Sequence, residues 1–223
     1  MNSNQQNLSL DWLPKQQNNG WIYRERVNSK YHGCSLIKYL VLNYKHSSEE
    51  EWKKRVKQGQ IKINDKTTFA NKIIYSNEKL TWERLPWEEP SVPCKWEVIF
   101  DNDDLFIINK PAGLPVIPGG GFLKHSLSEL LKVYAKRDND FLYPKPIHRL
   151  GRFTSGILLC ARRKRTRAEI SRSLNHKLDN EENCQRIYRG LAQSNQNLYH
   201  NQKIIIDTPI SKQKHGKLGF IWN

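Results

Sequence analysis

The stretch from His148 to Arg162 constrains this chain most. It begins polar and basic, passes through Thr154-Ser155-Gly156, and ends in the apolar run Ile157-Leu158-Leu159-Cys160-Ala161. That order predicts a loop feeding a buried strand. Gly151 and Gly156 bracket the loop, where the backbone is free to take conformations closed to other residues. His148, Arg149 and Arg152 are donors suited to phosphate oxygens. A basic surface loop before a core strand has the same residue types, so the types alone leave both readings open.

Charge narrows the choice. Lys and Arg number 37 against 22 Asp and Glu, a surplus of 37 − 22 = +15. A surplus that large implies an anionic partner, and nucleic acid is the usual one. It is unevenly spread: nine Lys or Arg stand against one acid, Glu169, between Lys145 and Arg172. Four widely spaced cysteines show no zinc spacing, so no metal is expected, and Cys160 reads as a small core residue. No apolar run approaches membrane-spanning length and no signal peptide is visible, which leaves the cytoplasm as the expected location.

Taken in order, residues 1–32 read as a polar tail and an extended basic-aromatic lead-in. Ser35 to Tyr44 has helical spacing. A second helix starts at Ser47 or Ser48 with an acid three residues on, a capping box, and Gly59 stops it. Lys53, Lys54, Arg55 and Lys57 fill its later turns, while Trp52 and Val56 face a core. Ile61-Lys62-Ile63-Asn64 alternates like a strand and Asp65-Lys66 turns it. Residues 83–94 form a Pro-rich linker, irregular because of Pro86, Pro90 and Pro93, with Trp82 and Trp87 placed to pin it. Two strands follow, Trp96–Phe100 and Leu105–Asn109, then the rigid turn Lys110-Pro111-Ala112-Gly113. A helix is expected over about 126–136, with His125 a polar residue at its start. Another is expected from Arg162-Arg163-Lys164-Arg165 to about Asn175. Arg186–Ala192 reads as a strand and Ile204–Ile210 as strand and turn.

His-Arg-Leu-x-Arg-x-Thr-Ser-Gly followed by Ile-Leu-Leu resembles the active-site loop of the RluA-type RNA pseudouridine synthases. Asn109-Lys110-Pro111-Ala112-Gly113, completed by Val116-x-Pro118-Gly119, resembles an earlier loop of the same family. Residues 33–82 resemble the small S4-type RNA-binding domain. The resemblance implies an α+β fold: an S4-like domain over 33–82, a linker over 83–94, and a mixed or antiparallel-sheet synthase-like domain over 95–223. A late family segment, Arg-Pro-His-Gln-x-Arg, is not found, so the catalytic domain is expected to be C-terminally truncated.

The implied reaction isomerises uridine to pseudouridine in ribosomal or transfer RNA, without cofactor or metal. It requires a carboxylate, and the family's Asp position is held here by Gly151, which has no side chain to act as acid, base or nucleophile. Tyr188 matches the family's active-site Tyr, though a Tyr filling the face of a strand fits the same pattern. His148, Arg149, Arg152, Lys110, Lys53, Lys54, Arg55, Lys57, Arg162, Arg163 and Arg165 are the expected RNA contacts. Two functions are therefore carried forward. One is a pseudouridine synthase, active or not as it stands; the other is a non-catalytic RNA-binding protein that keeps the S4-like domain and the basic groove.

Overall fold

The computed structural model describes residues 11–137, 142–175, 186–191, 199, 201–205, 209, 211–215 and 219–222. The chain divides into two units, 1–183 and 184–223.

The first unit opens with two very short strands, β1 (Trp12–Leu13) and β2 (Gln16–Gln17), and the longer β3 (Trp21–Arg26). Helix α1 (Leu36–Asn43) follows, then α2 (Glu49–Lys57). The capping box of α2 is Ser48 with Glu51: Glu51 N–H donates to the Ser48 hydroxyl and Ser48 N–H to the Glu51 carboxylate. Acids in its first turn and bases in its last complement the helix dipole. Trp52 and Val56, one turn apart, are buried. Strands β4 (Ile61–Ile63) and β5 (Lys66–Thr67) form a hairpin whose turn is Asn64-Asp65, one residue earlier than expected. Both turn residues take positive φ, 50° and 64°, which Asn and Asp tolerate and tight hairpins require.

Strand β6 (Lys79–Arg84) completes an antiparallel sheet of order β3-β6-β4-β5. Leu36, Leu40, Trp52, Ile61, Ile74 and Leu80 form its core. The expected tail is thus part of the structure from residue 11 on. Trp21–Arg26 pairs along the length of β6.

The segment expected to be irregular holds two short strands, β7 (Glu88–Glu89) and β8 (Val92–Pro93). They pair with β2 and β1 respectively. Pro93 is tolerated because a two-residue edge pairing asks little of its missing N–H.

Strands β9 (Glu97–Asp101) and β10 (Leu105–Lys110) follow, then α3 (Leu127–Arg137), β11 (Lys145–Pro146), β12 (Gly156–Ala161) and α4 (Lys164–Asn175). The sheet order is β11-β12-β10-β9, antiparallel throughout. Period-two alternation turns Phe106, Ile108, Leu158 and Cys160 inward with Leu127 and Leu131 of α3. Burial pushes the Cys160 thiol up to about 12, as expected of an inert core cysteine.

A single carboxylate joins three distant segments. Glu89 is 1 % exposed. Its oxygens accept from Asn18 Nδ2 and from the backbone N–H groups of Leu123, Lys124 and His125, at 2.9–3.1 Å. His125, expected merely as polar, is buried, with Nδ1 2.7 Å from Pro90 O. Burial alone would raise the Glu89 carboxyl, but the four accepted hydrogen bonds outweigh it and hold the group below its ordinary range. Its stabilisation is therefore complete above the unfolded carboxylate pKa and is lost as pH falls through the lower folded value. Glu89→Gln sets an amide N–H₂ among donors. It is expected to cost about 1–3 kcal/mol and to remove part of the acid sensitivity, read by urea unfolding at pH 7 and pH 4.

In the second unit β13 (Lys212–His215) pairs antiparallel with β14 (Gly219–Trp222). Residues 186–191 and 204–205 form no strand, in contrast to the sequence reading.

Candidate nucleic-acid interface

Two loops meet at the ends of β10 and β12, where Lys110 pairs with Gly156. One is residues 111–116, the other residues 148–155. Lys110 occupies an inward position of β10 and is fully buried. Its ammonium donates to Pro111 O (2.8 Å), Leu114 O (2.9 Å) and Arg152 O (3.3 Å). Burial among these neutral carbonyls pulls it down to about 8. Lys110 was expected to touch RNA; the correction is that its charge is spent tying the two loops together.

Arg152 adds a reciprocal clasp. Gly113 N–H donates to Arg152 O (2.8 Å) and Arg152 Nε to Gly113 O (3.0 Å). Gly113 has φ +95°, and a Cβ there would lie 3.3 Å from Pro93, so close approach as well as conformation calls for glycine. The Arg152 guanidinium lies over Phe122 (4.5 Å) and Phe153 (4.9 Å). His148 faces β12, and its Nε2 accepts Leu159 N–H at 3.1 Å. His148 and Arg152 therefore shape the loop, while Arg149, Gly151, Phe153 and Ser155 are its exposed members. Phe153 is 76 % exposed, an unusual place for a large apolar ring.

Gly151 sits at a turn in which Thr154 N–H donates to its carbonyl. Its φ is ordinary, and an added Cβ would meet only Thr154 Oγ1, at 3.1 Å. The backbone accepts a side chain here after a small shift of one hydroxyl.

The remaining expected contacts divide by burial. Lys53, Lys54 and Lys57 are exposed on α2, Lys53 paired with Glu49 at 2.6 Å. Arg55 is half-buried: it lies over Trp52 (4.6 Å) and Trp82 (5.1 Å) and donates to Ser47 Oγ. Arg162 is also a correction. Its side chain braces the β9–β10 turn through Asp101 Oδ1 and Asn102 O, both at 2.9 Å. Arg163 and Arg165 are exposed at the start of α4, Arg165 pairing with Glu169. Exposed pairs of that kind are weak and open readily for a phosphate. Tyr188 lies in the second unit, 63 % exposed.

Sequence reading missed the groups that hold this site. Glu89 and Phe122 carry no local signal, because their partners are 30 or more residues away, and the local bond of Asn18 to Gly20 N–H does not disclose its link to Glu89. Also missed was an aromatic and arginine-lined cavity of about 760 Å³ beside residues 119–121.

A family model for RNA pseudouridylate synthases matches residues 104–219. The matched span includes both loops and α4. The chain belongs to the RNA pseudouridylate synthase family. It is 38 % identical over 154 residues to the "Uncharacterized RNA pseudouridine synthase slr1592" of Synechocystis, covering 69 % of this chain and 50 % of that protein. It is 32 % identical to RNA pseudouridine synthase 5 of Arabidopsis thaliana, covering 92 % of this chain and 60 % of the relative. To ribosomal large subunit pseudouridine synthase D of Neisseria meningitidis it is 26 % identical, over 82 % and 47 %. The chain thus spans about half the length of these curated relatives.

Proposed function

We propose that this chain acts on structured RNA as a uridine-to-pseudouridine isomerase, at the loop 148–155. The carrying observation is that loop itself: Lys110 and Arg152 lock it from beneath and leave Arg149 and Phe153 exposed, while the exposed arginines of α4 stand at the other end of β12. Isomerisation breaks the N1–C1′ bond of the uridine, turns the base and bonds C5 to C1′. It consumes no redox equivalent or nucleotide. The base must leave its stack to react. Arg149 is suited to a flanking phosphate, Phe153 to the gap the base leaves or to its face, and Arg163 to a phosphate farther along the RNA. Tyr188 is proposed to stack on the base or relay a proton. The carboxylate the reaction needs is not supplied by Gly151, and this sets the rate of the chain as it stands.

Residues 33–82 are proposed as an S4-like module whose α2 lysines grip phosphates, 83–94 as its connection, and 95–223 as the catalytic domain. Ribosomal or transfer RNA is the proposed substrate class and the cytoplasm the proposed compartment. Among the described residues no helix is long and apolar enough to cross a membrane and no cluster of His, Cys, Asp or Glu could hold a metal.

Binding to an RNA hairpin should weaken steeply with salt. Replacing Arg163 and Arg165 together by Gln should weaken it for every RNA sequence and lower the slope of log K against log salt by about two. The measurement is fluorescence anisotropy from low to physiological salt. An affinity indifferent to salt would sink the RNA reading.

A further inference from the structure

We propose that the cavity beside residues 119–121 is a second RNA site, which takes one unpaired nucleotide of the bound strand, base on aromatic rings and phosphate on arginines. It rests on the RNA reading above, but it lies outside the 148–155 loop.

The cavity, about 760 Å³, falls within the range of small-ligand sites. Its floor is aromatic. Trp82 lies parallel to two further rings: Tyr23 (centroids 5.0 Å, 22°) and His46 (5.8 Å, 18°). Trp82 itself is buried, whereas Tyr23 and His46 are exposed and so offer ring surface to a ligand. A nucleobase is a flat π-system, and stacking on such rings needs no particular sequence.

Cations surround the rings. Arg55 lies over Trp52 and Trp82, and Arg84 over Trp82 (5.9 Å) and Trp87 (3.5 Å). A guanidinium beside an indole still has in-plane donors for phosphate oxygens, although one nitrogen of Arg55 is taken by Ser47 Oγ. The two carboxylates of the lining are already engaged. Glu25 accepts the hydroxyls of Tyr39 and Tyr44, and Glu51 closes the α2 capping box. Both keep their charge, and Arg24, Arg55 and Arg84 outnumber them in the lining, so the cavity stays net positive. Burial, then the nearby Arg55 and Arg84, lower the His46 pKa, so the ring is neutral near pH 7 and suited to stacking.

The third wall is Gly119-Gly120-Gly121. All three take positive φ (153°, 56°, 93°), and a Cβ on any of them would meet nothing within 4 Å. Backbone conformation, not crowding, requires glycine here, and it leaves bare main chain facing the cavity. Trp87 Nε1 donates to Gly121 O at 2.6 Å and fixes this wall against the arginine side. Aromatic faces, guanidinium groups and open backbone are the parts of a nucleotide site. An apolar ligand would have no use for the arginines, and a peptide carboxylate none for the stacked rings.

The experiment uses the full chain and three probes: a short single-stranded oligouridylate, uridine 5′-monophosphate, and a fully paired RNA hairpin whose strands are joined by a non-nucleotide linker. Oligouridylate is expected to quench tryptophan fluorescence. Tyr23→Ala and Arg84→Ala should each weaken that binding about tenfold while leaving hairpin affinity and the circular-dichroism melting curve unchanged. Photocrosslinking a 5-iodouridine oligonucleotide to the unaltered chain gives a measurement independent of variants. Adducts on Tyr23, His46 or Trp82 support the site, and adducts confined to 148–165 overturn it. Equal affinity for the monophosphate and the oligomer would overturn a strand site in favour of a free-nucleotide site. Retained hairpin binding with no quenching by oligouridylate overturns the cavity alone. Loss of salt-sensitive hairpin binding overturns the RNA reading itself.

Discussion

Gly151→Asp is expected to raise pseudouridine formation at least about a hundredfold over the unaltered chain, the lower end of what a positioned acid–base group contributes. The structure supplies the reason. Position 151 has ordinary φ, and the added Cβ meets one movable hydroxyl, Thr154 Oγ1. The surrounding loop is already clasped by Lys110 and Arg152. A carboxylate placed there is held by a rigid frame, which counts in catalysis as much as its chemistry. Stability should change by less than about 1 kcal/mol, as at most exposed positions.

The assay is pseudouridine in ribosomal and transfer RNAs, with both proteins at equal RNA occupancy. Turnover by the unaltered chain that matches the variant would assign the carboxylate elsewhere. Asp11 and Glu97, which line a shallow cleft with Ser155, would then be the first to remove. Asp104 is excluded from that role by its place. It stands at the far end of β10, about 17 Å along the strand, and binds Thr166 Oγ1 and Arg163 N–H. Background turnover by both proteins would show that a carboxylate at 151 is insufficient.

Lys110→Met is expected to destabilise the first unit by about 2–4 kcal/mol, since it leaves buried carbonyls without their donor. The wild-type side chain also predicts a pH dependence of definite sign. Its folded pKa, about 8, lies below the ordinary lysine value of 10.5. Between these two values the unfolded chain binds more protons than the folded one, so stability rises with pH. Below the folded value the cost of burying the charge is fully present. Urea unfolding at pH 7 and pH 10 should show the gain in the wild type and lose it in Lys110→Met. An equal gain in both proteins would place the titrating group elsewhere. Because the ammonium bridges the loops, Lys110→Met should also reduce hairpin affinity, although Lys110 itself is out of reach of phosphate.

What sequence could show was local. The α2 capping box, the Trp52–Val56 pair, the alternation of Ile61 to Ile63 and the strand after Gly156 all follow from residues within a turn or two of one another. The loop motif likewise shows where RNA chemistry is to be sought. Residue type could not separate Arg163 from Arg162, adjacent and identical, one exposed and the other spent on Asp101. Nor could it separate Lys110 from a surface lysine, because its three carbonyl partners meet only when two loops close. Trp21–Arg26 carries no clean alternation and becomes a strand only because β6 lies alongside. The cavity of Tyr23, His46 and Trp82 draws on three elements and exists only once they are assembled.

The buried Glu89 also sets an order of events while the chain is being made. Its partners are Asn18, synthesised early, and the backbone of Leu123 to His125, synthesised much later. At ordinary ribosome speeds the interval between Asn18 and His125 is on the order of ten seconds. Once Glu89 itself has been added, and until Leu123 follows, the carboxylate has at most one of its four donors and remains hydrated. The first strands can pair, but they cannot be sealed against the remainder until α3 begins to emerge. Early and late parts of the first unit therefore reach their final stability together, and a nascent chain halted before residue 123 should be open to protease at its N-terminal strands.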